Sequence, residues 1–192
     1  MEYRSHNRAK NATAFRAEEQ GEDRYIEGYF AVFGDTYDMG WGVTESIDRH
    51  AFDKTIRGDV RVLLNHNTDI VLGRSGAGTA EFRIDDHGLW GRCKINPADS
   101  EAANAYARVQ RGDVDQASFG FDVIRIEREY DGKGNVHRTL QEVKLYEVSV
   151  CTFPAYESTS LSARDNQNGA DIRAEENAAW KKFQKERLTK WH

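Results

Sequence analysis

Residues 116–151 read QASFGFDVIRIEREYDGKGNVHRTLQEVKLYEVSVC, and this stretch decides the fold class. Ala117–Tyr130 and Val136–Phe153 are long runs rich in β-branched and aromatic residues. Asp131-Gly-Lys-Gly-Asn135 between them has the glycines a hairpin loop needs, so the pair reads as two antiparallel strands. Working outward toward the N-terminus, Ala102–Gln110 favours helix, with Asp99 or Ser100 able to cap its first NH groups and Gly112 placed for a left-handed stop. Thr79–Ile84 and Leu89–Ile95 flank Asp85-Asp86-His87-Gly88 as a second hairpin. Val60–His66 alternates as a strand, Arg49–Arg57 reads as a short helix stopped by Gly58, Asp35–Gly42 is a turn-rich loop, and Tyr25–Phe33 is a strand. The class expected is α+β and β-rich. Its mostly antiparallel strands curl into a closed or partly closed barrel with a few flanking helices, because an open sheet leaves edges unpaired.

Composition bounds what such a domain can do. The chain has 192 residues, 39% hydrophobic and 31% charged, which suits a globular domain with polar extensions. Its net charge of −5 lacks the basic footprint of a duplex binder, so no nucleic-acid partner is expected. Apolar runs such as Val148–Cys151 fall far short of the roughly 20 residues needed to span a bilayer, so no membrane partner is expected either. Residues 1–21 read as a flexible extension without a secretory leader, which points to a cytoplasm. Cys93 and Cys151 are too far apart for a paired zinc motif, and His50, His66, His87 and His137 lack ligand-helix spacing; neither metal nor cofactor is expected. Residues 22–163 are acidic on balance. From Arg164 the chain turns basic, with a linker to Asp171 and then a helix whose Ala179, Trp180, Phe183 and Trp191 share one side.

Three side chains carry candidate chemistry. Strand parity puts His66 on the face of Val60, Val62 and Leu64, as a half-buried imidazole at a strand end. Along Gln116–Val123, Ala117, Phe119, Phe121 and Val123 share one face while Gln116, Ser118, Gly120 and Asp122 share the other. Gly120 beside Ser118 leaves space above the hydroxyl for an incoming carbonyl carbon. In Glu142–Cys151, Val143, Leu145, Glu147, Ser149 and Cys151 share a face, so Glu147 interrupts a strand apolar on both sides. A buried carboxylate without a partner costs several kcal/mol, so Glu147 should pair either with an imidazole or, in a purely structural role, with an arginine such as Arg125.

Taken in order, the segments resemble the caudovirus prohead proteases, the serine peptidases that mature tailed-phage capsids. The likeness rests on Gly28-Tyr-Phe-Ala-Val-Phe33, Ala51-Phe52-Asp53, Val62-Leu-Leu-Asn-His-Asn67, Leu72-Gly73, Gly112-Asp113, Ala117-Ser-Phe-Gly-Phe121, Tyr146-Glu-Val-Ser-Val150 and Pro154-Ala-Tyr156. It covers about residues 24–163 and implies a fold like the herpesvirus assemblin barrel. His66 then matches the family histidine, Ser118 the family serine, and Glu147 the third member, where the herpesvirus relatives use a second histidine. A carboxylate can take that place because it need only orient the imidazole and stabilise its charged form. The resemblance further implies action inside the procapsid, in the host cytoplasm. The expected substrates are the phage major capsid protein with its scaffolding region and the enzyme itself, with a homo-oligomer as the working form. Oxyanion donors are sought near Gly73 or after Phe153. The rivals are an inactive capsid-assembly scaffold or structural module on the same fold, and a cysteine hydrolase built from Cys151 and His66. The thiol is disfavoured because burial on an apolar strand deactivates it.

Overall fold

In the computed structural model, which describes residues 1–6, 16–20 and 23–152, the long hairpin is the organising element. Its strands β10 (Gln116–Tyr130) and β11 (Val136–Cys151) follow β1 (Glu2–His6), β2 (Arg16–Gln20), β3 (Asp23–Val32), β4 (Tyr37–Gly40), β5 (Val43–Ile47), β6 (Arg61–Leu64), β7 (Asn67–Arg74), β8 (Ala80–Ile84) and β9 (Gly88–Ile95). Helix α1 (Ser100–Arg111) precedes β10, and Ser75–Ala77 is a single 3₁₀ turn. The strands form two sheets. One runs β1-β10-β11-β5-β4, with β6 also pairing β11 and β7 pairing β6; the other runs β2-β3-β9-β8. Pairings are antiparallel except β11 with β5 and β11 with β6. Among the described residues no strand pairing links the two sheets, so a closed barrel is not seen. They share one core instead, in which Ile26, Phe30, Leu89 and Cys93 of the smaller sheet meet Phe119, Phe121, Val148 and Val150 of the larger.

Helix α1 forms as its sequence dictates. Asp99 accepts from the NH groups of Glu101 and Ala102, Gly112 closes the helix at φ 85°, and the buried positions Ala102, Ala105, Tyr106 and Val109 make one stripe. The expected helix at Arg49–Arg57 is not one. That stretch is a chain of tight turns, with Ala51 N bonded to Asp48 O, Asp53 N to His50 O and Gly58 N to Thr55 O. The reason is its position. β5 and β6 both run parallel to β11, one pairing Val136–Leu140 and the other Glu147–Val150. The turns fill the gap between them and supply the missing backbone partners: Asp48 N donates to Leu140 O, Val143 N to Ala51 O, and Leu145 N to Thr55 Oγ1. The loop expected at Asp35–Gly42 holds the short edge strand β4. Residues 2–6 and 16–20 are strands in the two sheets, and the basic segment from Arg164, with Trp180, Phe183 and Trp191, lies outside the described residues.

Candidate active site

The strand expected over Val60–His66 ends at Leu64, and Leu64 pairs directly with Asn67. Asn65 and His66 are therefore the two central residues of a minimal hairpin, both left-handed at φ 52° and 59°. Positive φ at both positions is the pattern whose twist suits a two-residue hairpin; asparagine and histidine tolerate it better than most residues. Thus His66 is aimed by a turn rather than by strand parity. The tip is tied to the end of β11: Asn65 N donates to Val150 O, Thr152 N to Asn65 Oδ1 at 2.8 Å, and His66 N to Ser149 Oγ at 3.1 Å.

Glu147 reaches its face through a β-bulge. Gly120 pairs with Glu147 but Phe121 pairs with Leu145, so Tyr146 is an extra residue in β11. The side-chain phase of β11 changes there. Val143 and Leu145, expected on the face of Glu147, instead join Phe119, Phe121, Val148 and Val150 in the core. Glu147, Ser149 and Cys151 stand on the opposite face. Arg125 pairs with Glu142 in the middle of β11, away from Glu147.

On that face the polar groups converge. Glu147 Oε1 lies 2.7 Å from His66 Nδ1, and Ser149 Oγ donates to Glu147 Oε2 at 2.6 Å. Ser118 pairs with Ser149 and Gly120 with Glu147 across the antiparallel ladder, so Ser118 shares their face. Directly opposed residues have Cβ atoms about 5 Å apart, one strand spacing from the residue that holds the His66 backbone. Ser118 and Ser149 are fully buried, Glu147 is 3% exposed, and the His66 side chain is 18% exposed. The backbone of β1 covers the outer edge of β10, with Ser5 in register with Ser118. Buried polar groups concentrated this way are expensive unless each has a partner.

Cys151 Sγ lies 3.8 Å from His66 Nε2, so the thiol–imidazole pair of the cysteine reading exists. Burial, reinforced by the Glu147 charge, pushes the thiol up to about 12, which keeps it protonated and a poor nucleophile. Gly73 belongs to a different part of the molecule: a Cβ there would stand 2.5 Å from Cys93 Sγ and 3.0 Å from Thr79 O, so its bareness lets β7 approach the second sheet. The segment after Phe153 lies outside the described residues. Strand alternation gives Ser149 its face but no role; the signal that finds it is a serine two residues from a buried carboxylate on the same strand face.

The family profile of the caudovirus prohead serine proteases matches residues 11–171. The prohead protease of Enterobacteria phage HK97 is 30% identical over 159 residues, which take in 82% of this chain and 68% of that protein. No solved structure matches the chain. With a profile match running through both strands of the site hairpin, the chain belongs to the caudovirus prohead serine protease family and is a serine peptidase.

Proposed function

We propose that the chain is the endopeptidase of a tailed-phage procapsid and that Ser118, His66 and Glu147 do its chemistry. The observation that carries this reading is the buried His66–Glu147 contact of 2.7 Å on the face that Ser118 shares by register. With Nδ1–H donated to Glu147, the lone pair of neutral His66 stands at Nε2. Nε2 takes the Ser118 proton as Oγ bonds to the substrate carbonyl carbon. The imidazolium, stabilised by Glu147, then protonates the leaving amine, giving an acyl-enzyme and a free amino terminus. Water repeats the sequence in reverse: it loses a proton to His66, attacks the acyl carbon, and Ser118 leaves with its proton restored.

The proposed substrates are the major capsid protein with its scaffolding region, and the enzyme itself, cleaved within the procapsid in the host cytoplasm. The HK97 relative's name and the family support this role. The shared core supports reading the two sheets as a partly closed counterpart of the assemblin barrel. The working domain is taken as residues 22–163 together with the strands contributed by residues 2–6 and 16–20. The basic segment 164–192 is proposed as a helix that recruits the enzyme to scaffold or is removed during maturation, and a homo-oligomer as the working form. Co-expression with the cognate capsid protein tests the reading. Wild type should convert the capsid protein to a shorter band and Ser118→Ala should leave it whole. Equal maturation in both would make the chain an assembly module instead.

A further inference from the structure

We propose that Ser149 is a positioning residue that locks the catalytic base through both its backbone and its side chain. The role rests on the triad assigned above. Ser149 Oγ accepts the His66 backbone NH at 3.1 Å and donates to Glu147 Oε2 at 2.6 Å, while Glu147 Oε1 meets His66 Nδ1 at 2.7 Å. These three contacts close a ring that begins and ends on His66. A hydroxyl has one proton; with the amide hydrogen aimed at its oxygen, that proton goes to the carboxylate. Ser149, fully buried like Ser118 on the neighbouring strand, thus has both its oxygen and its proton engaged by the His66–Glu147 pair.

The ring answers a specific weakness. His66 sits at the tip of a two-residue turn in a left-handed conformation, a place where an imidazole has several orientations available. Gripping only the ring would leave the turn free to tilt, and gripping only the backbone would leave the ring free to rotate. Ser149 and Glu147, two residues apart on one strand face, do both, and the bond between them fixes the carboxylate's plane. A serine that merely filled space would serve as well if its oxygen were removed. One that positions the base would not, because a misplacement of about 1 Å can cost about 100-fold in rate.

The test is the rate at which diisopropyl fluorophosphate labels Ser118 in the full-length protein, which reads nucleophile activation without a peptide substrate. Ser149→Ala should label about 10–100-fold more slowly than wild type. Ser149→Thr, which keeps the hydroxyl, should recover to within about threefold, and Ser149→Cys, a weak donor of similar size, should not. In a Glu147→Ala background, Ser149→Ala should change the rate by less than about twofold, because the group it acts through is gone. A wild-type rate for Ser149→Ala, or the same factor in both backgrounds, overturns the role. If Ser149→Ala does not fold, a Cys variant as fast as the Thr variant overturns it equally. His66→Ala labelled as fast as wild type would instead overturn the triad and this role with it; His66→Ala inert beside a fully active Ser149→Ala overturns the role alone.

Discussion

Strand β11 carries a histidine–hydroxyl cluster at each end. Near its start, His137 lies between two hydroxyls of β5, with Nδ1 2.9 Å from Thr44 Oγ1 and Nε2 2.9 Å from Ser46 Oγ. Near its end, His66 meets Glu147 and Ser149. By distance alone Ser46 and His137 look like a nucleophile and its base. What they lack is an acid: among the described residues no carboxylate contacts His137. Both ring nitrogens are engaged by neutral hydroxyls, so no carboxylate orients either one toward a substrate. At the other end Nδ1 meets the buried Glu147 carboxylate, and Nε2 is the nitrogen proposed above to carry the proton. A serine beside a histidine is thus not enough to mark a site; a buried carboxylate on the imidazole's far nitrogen is what distinguishes His66 from His137.

The widest separation between the two ends is expected in turnover. Ser118→Ala or His66→Ala should reduce capsid-protein cleavage by about 10⁶-fold, which a gel assay reads as complete loss. Ser46→Ala and His137→Ala should leave cleavage within about twofold, while each lost hydrogen bond lowers stability by about 1 kcal/mol in urea titration. A dead Ser46→Ala beside an active Ser118→Ala would exchange the two roles. Glu147→Gln is the next largest. The amide keeps the shape but removes the charge and can donate its NH2 to an unprotonated Nδ1, holding the wrong tautomer, for a loss of about 10⁴-fold in kcat by quenched-flow or long-incubation assay. Below that comes the turn. Asn65→Val places a β-branched residue at positive φ and removes the bond from Thr152 N, so unfolding free energy should fall by about 2–3 kcal/mol, whereas Asn65→Gly should cost about 1 kcal/mol or less.

The two ends also differ in how far the sequence discloses them. The long hairpin, α1 and the hairpin of β8 and β9 follow from local pattern, because propensity, turn glycines and caps agree there. His66 ends an apolar row and Glu147 interrupts one, while Ser118 stands out for the open space beside Gly120. Hidden from local pattern were the Tyr146 bulge and the turn at Asn65-His66. A bulge inserts a residue without any composition signal, and it moved Val143 and Leu145 to the core while leaving Glu147 on the other face. Arg49–Arg57 reads as helix yet folds as turns because its role, filling the gap between β5 and β6 beside β11, depends on strands distant in sequence. Ser149 is hidden for the opposite reason: the alternation shows its face, but His66 and Glu147 both meet it only once the turn at Asn65-His66 has folded onto β11.

The smallest effect concerns Cys151, the third group on the site face and one the His137 cluster lacks. Its thiol is 3.8 Å from His66 Nε2, yet burial and the Glu147 charge raise it from an ordinary 9.0 to about 12. At pH 8 it is therefore a neutral neighbour of the base. Cys151→Ala should change cleavage by less than about threefold, and iodoacetamide at pH 8 should leave the folded enzyme active. The same elevation predicts an alkaline limb in stability. The unfolded chain releases the thiol proton near pH 9 while the folded chain holds it to about 12, so the contribution is full below pH 9 and is lost as pH rises through 12. Cys93, raised to about 12 by burial alone, adds to that limb. Melting temperatures at pH 8 and pH 10 should converge when both cysteines are replaced by alanine. Rapid alkylation of the folded protein at pH 8 with loss of activity would show that the thiolate forms beside His66, and would bring the site's chemistry back to sulfur.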